Sequence, residues 1–318
     1  MSEKNLVICD SEFCYADSLA ENILGRRELN VKVYTFTCLE KVTLFLQEKK
    51  IHILIVDEGY TLEERSQTGA EQIFVLMRGG VMELGENEQA IYKYQCADQI
   101  IHQVFEAYVE KTNEDVLRHI RKNRTCLEAI YSPIHGIGKT SFAIALGKER
   151  AKKERILYLN LEEYAGFEEE ISDESQLNLG DLLYYIRQSE GHFGIRLQSA
   201  VQKLGELDYV PPIFLSVDLK EVTFEEWKAF LEQLMALSLY DTILLDLGEG
   251  VQGLFPILQM CDRIYMPVKE DAISSQKLFR YERCLERLEL EKIPRITHRF
   301  VMPEDAEEYV KIRMKEEE

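Results

Sequence analysis

Nothing in the sequence approaches the roughly 18 consecutive apolar residues that a membrane-spanning helix needs. The opening stretch, MSEKNLVICDSEF, has only a short apolar run with acids close behind, which is not the build of a secretory signal. Signals for cysteine pairing are missing too. The seven cysteines form an odd, scattered set with no CxxC pair, and most sit beside apolar residues. Buried free thiols in a reducing cytoplasm are therefore expected. Positive charge is scarce: 38 Lys and Arg stand against 57 Asp and Glu, a formal net charge of −19. Such a surface repels nucleic acid and anionic lipid wherever no local basic patch overrides it. The densest basic stretch, RHIRKNR at 118–124, falls where a linker between domains is expected. Internal repeats and low-complexity tracts are absent.

What remains is a globular composition, 46% hydrophobic and 30% charged, with apolar material for two cores. Short apolar runs alternate with helical stretches, the pattern of parallel α/β architecture. Within residues 1–122, LVICD (6–10), VKVYTF (31–36), IHILIVD (51–57), IFVLM (73–77) and AIYKY (90–94) read as five strands. With helical segments at 14–28, 39–49 and 97–120, they predict a flavodoxin-like doubly wound sheet. A second α/β series fills 123–318. Its expected strands are CLEAIYS (126–132), ILYLNL (156–161), PPIFLSV (211–217), TILLDLG (242–248), RIYMPV (263–268) and RITHRFV (295–301). GDLLYYIRQ, the stretch near 196–205 and DAISSQKLFRYERCLERLEL read as helices. TFEEWKAFLEQLMALS (223–238) is an amphipathic helix opened by a Thr-x-x-Glu capping box. EEYAGFEEEISDESQ (162–176) reads as an irregular acidic excursion.

The stretch SPIHGIGKTS (132–141) lies between a strand and a helix that opens near Lys139. In that geometry the backbone N–H groups of Gly136, Ile137, Gly138, Lys139 and Thr140 wrap a β-phosphate, with His135 and Ser141 flanking them. Lys139 is placed to bridge β- and γ-phosphate oxygens, and the Thr140 hydroxyl to ligate Mg²⁺. Pro133 stands where the standard Gly-x-x-x-x-Gly-Lys-Thr pattern has glycine; it stiffens the loop entry without removing the phosphate-facing amides. Asp246, closing the apolar run ILLD, is the expected acidic partner for Mg²⁺, and Glu162 is placed to position water or metal. The bland alternatives are a glycine turn before a core helix and an ordinary strand-end aspartate.

These residues resemble the MinD/ParA class of P-loop ATPases, whose loop reads Lys-Gly-Gly-x-Gly-Lys-Thr-Thr. The run Ile134 to Ser141 keeps the last two glycines, Lys139 and Thr140. Asn160-Leu161-Glu162 occupies the place of the class's Asp-x-Asp, and Asp246-Leu247-Gly248-Glu249-Gly250 is similar to its second switch. The signature lysine that reaches the partner's nucleotide falls on Ile134. The resemblance implies ATP and Mg²⁺ as cofactors, a homodimer with nucleotide near its interface, and slow or absent hydrolysis. It also implies adenine contacts near Arg299, Met302 and Pro303. The N-terminal half resembles a response-regulator receiver, with Asp10 at the first acidic position, Asp57 at the phospho-acceptor position and Lys93 at the fifth-strand lysine. Ser11 replaces the second acid, and Met77-Arg78 stands where a hydroxyl residue is expected. That implies a pseudo-receiver that docks or dimerises.

The order of the two domains resembles the CpaE/TadZ family, best carried by DLKEVTFEEWKAFLEQLMALSLYDTILLDLGEG. It implies an ATP-binding spatial regulator of Tad (Flp-type) pilus or secretion machinery. Such a protein is cytoplasmic and is recruited to a cell pole or membrane-associated machine through partner proteins, with no membrane insertion of its own. The alternative is a ParA-like partitioning ATPase, or a nucleotide-dependent scaffold regulated through its receiver-like domain. The acidic surface tells against a nucleic-acid partner. The acidic stretch EDAEEYVKIRMKEEE (304–318) tells against a MinD-like membrane helix.

Overall fold

The computed structural model describes residues 3–26, 29–112, 116, 124–166, 177–188, 193–303 and 305–316. The chain divides into two compact units, Met1–Ile120 and Arg121–Glu318. Residues 118–123 of the basic stretch, the expected boundary at 122/123, and residues 167–176 of the acidic excursion lie outside the described residues. Among the described residues no helix is long and apolar enough to cross a membrane.

The first unit runs β1 (Lys4–Cys9), α1 (Phe13–Gly25), β2 (Val31–Phe36), α2 (Leu39–Leu46), β3 (Ile53–Asp57), α3 (Leu62–Ser66), β4 (Gln72–Met77), β5 (Glu88–Tyr92) and α4 (Ala97–Thr112). All pairings are parallel and the strand order is β2-β1-β3-β4-β5, the flavodoxin-like order. A parallel sheet covered on both faces needs strands that are apolar throughout. β3 is buried at all five positions, and Val7, Leu54, Val56, Ile73 and Val75 share one core cluster with Leu39 and Val42 of α2. α3 is a single short turn held by a Thr61–Glu64 capping box, and the connection 78–87 between β4 and β5 carries no helix.

The second unit runs β6 (Cys126–Ile130), α5 (Lys139–Ala151), β7 (Ile156–Leu161), α6 (Leu179–Arg187), α7 (Phe193–Ala200), β8 (Gln202–Leu204), β9 (Leu207–Val210), α8 (Ser216–Glu221), α9 (Phe224–Leu237) and β10 (Thr242–Leu247). It continues with α10 (Leu254–Met260), β11 (Arg263–Val268), α11 (Ala272–Arg287), α12 (Lys292–Ile296), β12 (Thr297–Val301) and α13 (Ala306–Glu316). The strand order is β12-β11-β6-β10-β7-β9-β8, parallel except for the β8–β9 hairpin. The expected capping box is present: Thr223 Oγ1 accepts from the Glu226 amide, and Glu226 accepts from the Thr223 amide.

PPIFLSV is not a strand. β9 stops at Val210 because Pro211 and Pro212 bring no N–H to continue the ladder. The chain then leaves the sheet, with Phe214 exposed and α8 opening at Ser216. The stretch near 196–205, read as helix, splits into the end of α7 and the strand β8. The cysteines are all free, but only Cys9 and Cys261 are buried; Cys14, Cys96 and Cys126 are exposed.

Candidate functional site

In the second unit the loop between β6 and α5 is built by two backbone reversals. Gly136 sits at φ +62° and Gly138 at φ +91°, a region that residues with a Cβ rarely adopt. Gly138 is the N-cap of α5, and the first intrahelical bond runs from the Phe142 amide to its carbonyl at 3.1 Å. The amides of the helix's first turn therefore have no intrahelical acceptor, and the helix dipole places partial positive charge at the same end. At the far end of α5, Arg150 pairs with Glu128 of β6 and donates to Thr242 Oγ1 of β10 at 3.0 Å. The helix is thereby tied to the two strands beneath it.

Register brings the charged residues together. In the parallel ladder Asp246 of β10 lies beside Ile130 of β6 on one side and Asn160 of β7 on the other. Lys139, Glu162 and Asp246 thus meet at the carboxyl ends of three adjacent strands, where open parallel sheets place their ligands. Lys139 is nearly buried, and its Nζ pairs with Glu162 Oε1 at 2.7 Å. Asp246 is fully buried. Its Oδ2 accepts from Tyr158 Oη at 3.1 Å and from Asn160 Nδ2 at 3.3 Å. Oδ1 has no partner of regular hydrogen-bond geometry. Burial pushes the Asp246 carboxyl up to about 6, and the Glu162 charge adds to this, while the Thr140 hydroxyl, Lys139 and Tyr158 work against it. Burial and the Asp246 charge also raise the Tyr158 hydroxyl well above the ordinary tyrosine value, so it stays a donor.

A buried carboxylate with one unmatched oxygen beside a threonine hydroxyl fits a hard divalent cation whose remaining ligands are water and phosphate. Among the described residues no three His, Cys, Asp or Glu side chains converge as an all-protein metal cage.

The other expected residues divide. His135, Gly136 and Ser141 are exposed at the loop, and Ile137 is buried beneath it. His135 Nε2 lies 3.7 Å from Glu249 Oε1. Ile134 is 4% exposed, so nothing at that position reaches outward. Met302 does come to the loop: a Cβ on Gly138 would lie 3.1 Å from its Cε. Arg299 is engaged elsewhere, in an ion pair with Glu282, and lines a cavity of about 410 Å³ with Tyr265, His298 and Phe300 that no loop glycine touches. Sequence reasoning missed Tyr158 and the use of Asn160 as a donor to Asp246. The two-residue spacing of Tyr158 and Asn160, which puts both side chains on one sheet face, was the available signal.

In the first unit Asp10, Asp57 and Lys93 meet in one cluster. Lys93 Nζ lies 2.7 Å from Asp10 Oδ2 and 3.0 Å from Asp57 Oδ2, and all three groups are buried. Arg78 brings a second cation, 3.2 Å from Asp57 Oδ2. The exposed Ser11 is passed over, and the next residue supplies a further acid: Glu12 Oε1 lies 3.3 Å from Lys93 and 3.0 Å from Arg78. Burial alone would raise the Asp57 carboxyl, but Lys93, the Gly59 amide and Arg78 together hold it below the ordinary aspartate value. Two cations, Lys93 and Arg78, thus already share Asp57 Oδ2. Incubation with acetyl phosphate and Mg²⁺ should therefore leave the intact mass unchanged. Stoichiometric phosphorylation, or a change of oligomeric state with beryllofluoride, would contradict this.

No protein-family model matches the chain, and neither does any curated protein. Solved structures do resemble it. A plasmid partition protein from Borrelia burgdorferi bound to AMPPNP is 16% identical over 61% of this chain and 84% of its own, with a TM-score of 0.42. A ParA family ATPase from Chlorobium tepidum is 15% identical over 59% and 90%, with a TM-score of 0.43. The MinC:MinD cell division complex of Aquifex aeolicus is 19% identical over 56% and 68%, with a TM-score of 0.42.

Proposed function

We propose that this chain binds ATP with Mg²⁺ at the β6–α5 loop and works as a nucleotide-dependent positioning protein of the ParA/MinD kind. One observation carries the reading: Lys139, Glu162 and the buried Asp246 converge beside a loop whose two left-handed glycines expose backbone amides at the start of α5. In it, Gly136 to Thr140 hold the phosphates, with His135 and Ser141 at the rim. Lys139 leaves Glu162 to bridge the β- and γ-phosphates. Thr140 and Asp246 would hold Mg²⁺, which would supply positive charge against the phosphates. Glu162, released from Lys139, faces the same space and orients water. Met302 supplies an apolar wall beside the loop. The broader partitioning or positioning role agrees with the names of the solved structures that resemble the chain. The narrower role, localising Tad-type pilus or secretion machinery through a pseudo-receiver, rests on the domain order and on the neutralised Asp57 cluster.

A homodimer is part of this proposal. Lys220 of α8 pairs with Glu163 at 2.8 Å, which puts α8 next to the chain leaving β7. Tyr164, Phe214 and Val217 are all more than half exposed there, apolar surface of the kind that marks an interface. If nucleotide also touches the second copy, dimer affinity and ATP affinity rise by the same factor, at the low end of about 1–3 kcal/mol without a lysine at position 134. Sedimentation across micromolar concentrations, with and without ATP and Mg²⁺, is the test. A dimer under both conditions, tightened modestly by ATP, is expected; a strict monomer under both would refute the assembly.

A further inference from the structure

The outer face of α11 carries a feature that nucleotide binding does not use. Arg280, Arg283 and Arg287 recur at helical spacing along one exposed stripe, spanning about 10 Å. In a chain of net charge −19, none of the three has an ion pair among the described residues. Other arginines of this unit do: Arg187 pairs with Glu226, Arg295 with Glu291, and Arg299 with Glu282. The stripe is also not purely polar. Phe279 and Leu288 are 58% and 52% exposed beside it, and the Arg283 guanidinium lies 5.8 Å from the Phe279 ring centroid. Together with Cys284 these side chains line a groove of about 560 Å³.

We infer that this groove docks an acidic, amphipathic segment of a protein partner, whose carboxylates pair with the arginines and whose apolar side chains cover Phe279 and Leu288. Guanidinium groups match carboxylates in a two-pronged geometry and lose less by leaving water than ammonium groups do, which suits an interface. Charge distribution selects a peptide over larger polyanions. A lipid surface or a duplex would press further negative charge against Glu282 and Glu286 of the same helix and against the acidic remainder of the chain. A segment confined to the groove meets only the stripe. The buried face of α11 meanwhile packs Tyr281 against Tyr131, ring centroids 5.7 Å apart, so the helix stays seated whatever its outer face binds.

The test uses the full chain and a fluorescein-labelled helical peptide with glutamates on one face and leucines on the other. Anisotropy should rise on titration, fall with added salt, and persist in Lys139→Ala, which separates this surface from the nucleotide site. The double variant Arg280→Glu, Arg283→Glu should weaken binding by about tenfold or more, since both substitutions are exposed and reverse the charge. Leu288→Ala should weaken it with less salt dependence. No peptide binding, or equal binding by the charge-reversed variant, would overturn the inference. So would phosphatidylserine vesicles or a random-sequence DNA duplex binding through these same arginines in place of the peptide.

Discussion

Purified protein with saturating ATP and Mg²⁺ should release phosphate at well below about 1 s⁻¹, the lower end of ordinary phosphoryl-transfer turnover. The reason lies at residue 134. A cation delivered across a dimer to the transferring phosphate contributes on the order of 10³–10⁵ in rate. Here the position holds an isoleucine that is 4% exposed, packed into the loop and pointing at nothing it could stabilise. Lys139 remains, but it is the lysine of the same chain and does not replace a cation delivered across a dimer. His135, exposed at the loop, is the group to test as a stand-in. A residual rate that is lost in His135→Ala would identify it as the stand-in. Turnover near 1 s⁻¹ from the isolated protein at neutral pH would refute the account of Ile134.

Asp246→Asn should stabilise the nucleotide-free protein while weakening its response to Mg²⁺. The Asp246 carboxyl is held at about 6 in the folded chain against an ordinary value of 3.8, a difference worth about 3 kcal/mol. The sign follows from proton linkage. A raised folded value means that the unfolded chain loses the proton first, so stability falls as pH rises from about 4 to about 6 and is level above that. Asparagine has no such proton. The stability advantage of Asp246→Asn over the parent chain should therefore be small near pH 4, grow through pH 6 and stay constant beyond. Urea unfolding across that range measures it. Mg²⁺ with ATP should narrow the gap, since a cation at Oδ1 favours the ionised carboxylate. An advantage independent of pH would mean that Asp246 is already compensated by its neighbours and is not a waiting metal ligand.

Much of this was legible in the chain because it depends on near neighbours. The loop was readable from Gly136, Gly138, Lys139 and Thr140 falling between an apolar run and a helix. Asp246 was readable as the acid that ends TILLD, since a carboxylate after four buried positions is expected near the strand's exit. The capping box at Thr223 depends on four consecutive residues. What was not legible depends on pairing across the sheet or on very short elements. The Lys139–Glu162 pair and the Tyr158–Asn160–Asp246 network exist because β10 lies between β6 and β7, and no periodicity states that order. β8 has three residues and β9 four, too few for alternation to declare itself. PPIFLSV has strand composition, but its two prolines, which deny a ladder its donors, decide the matter. At the first-unit cluster, Ser11 drew the reading to a missing acid. The backbone instead turns so that the Glu12 amide donates to Asp10 Oδ1 at 2.9 Å, and the Glu12 side chain enters the cluster in its place.

The central claim is that the β6–α5 loop holds MgATP, and calorimetric titration of MgATP into the parent chain and into Lys139→Ala tests it directly. The account predicts one site per chain in the parent. It predicts an affinity weakened by about 1.5–3 kcal/mol, roughly ten- to a hundredfold, once the charged hydrogen bonds of Lys139 are removed. Equal affinities in the two proteins, or no heat of binding in the parent, would contradict it.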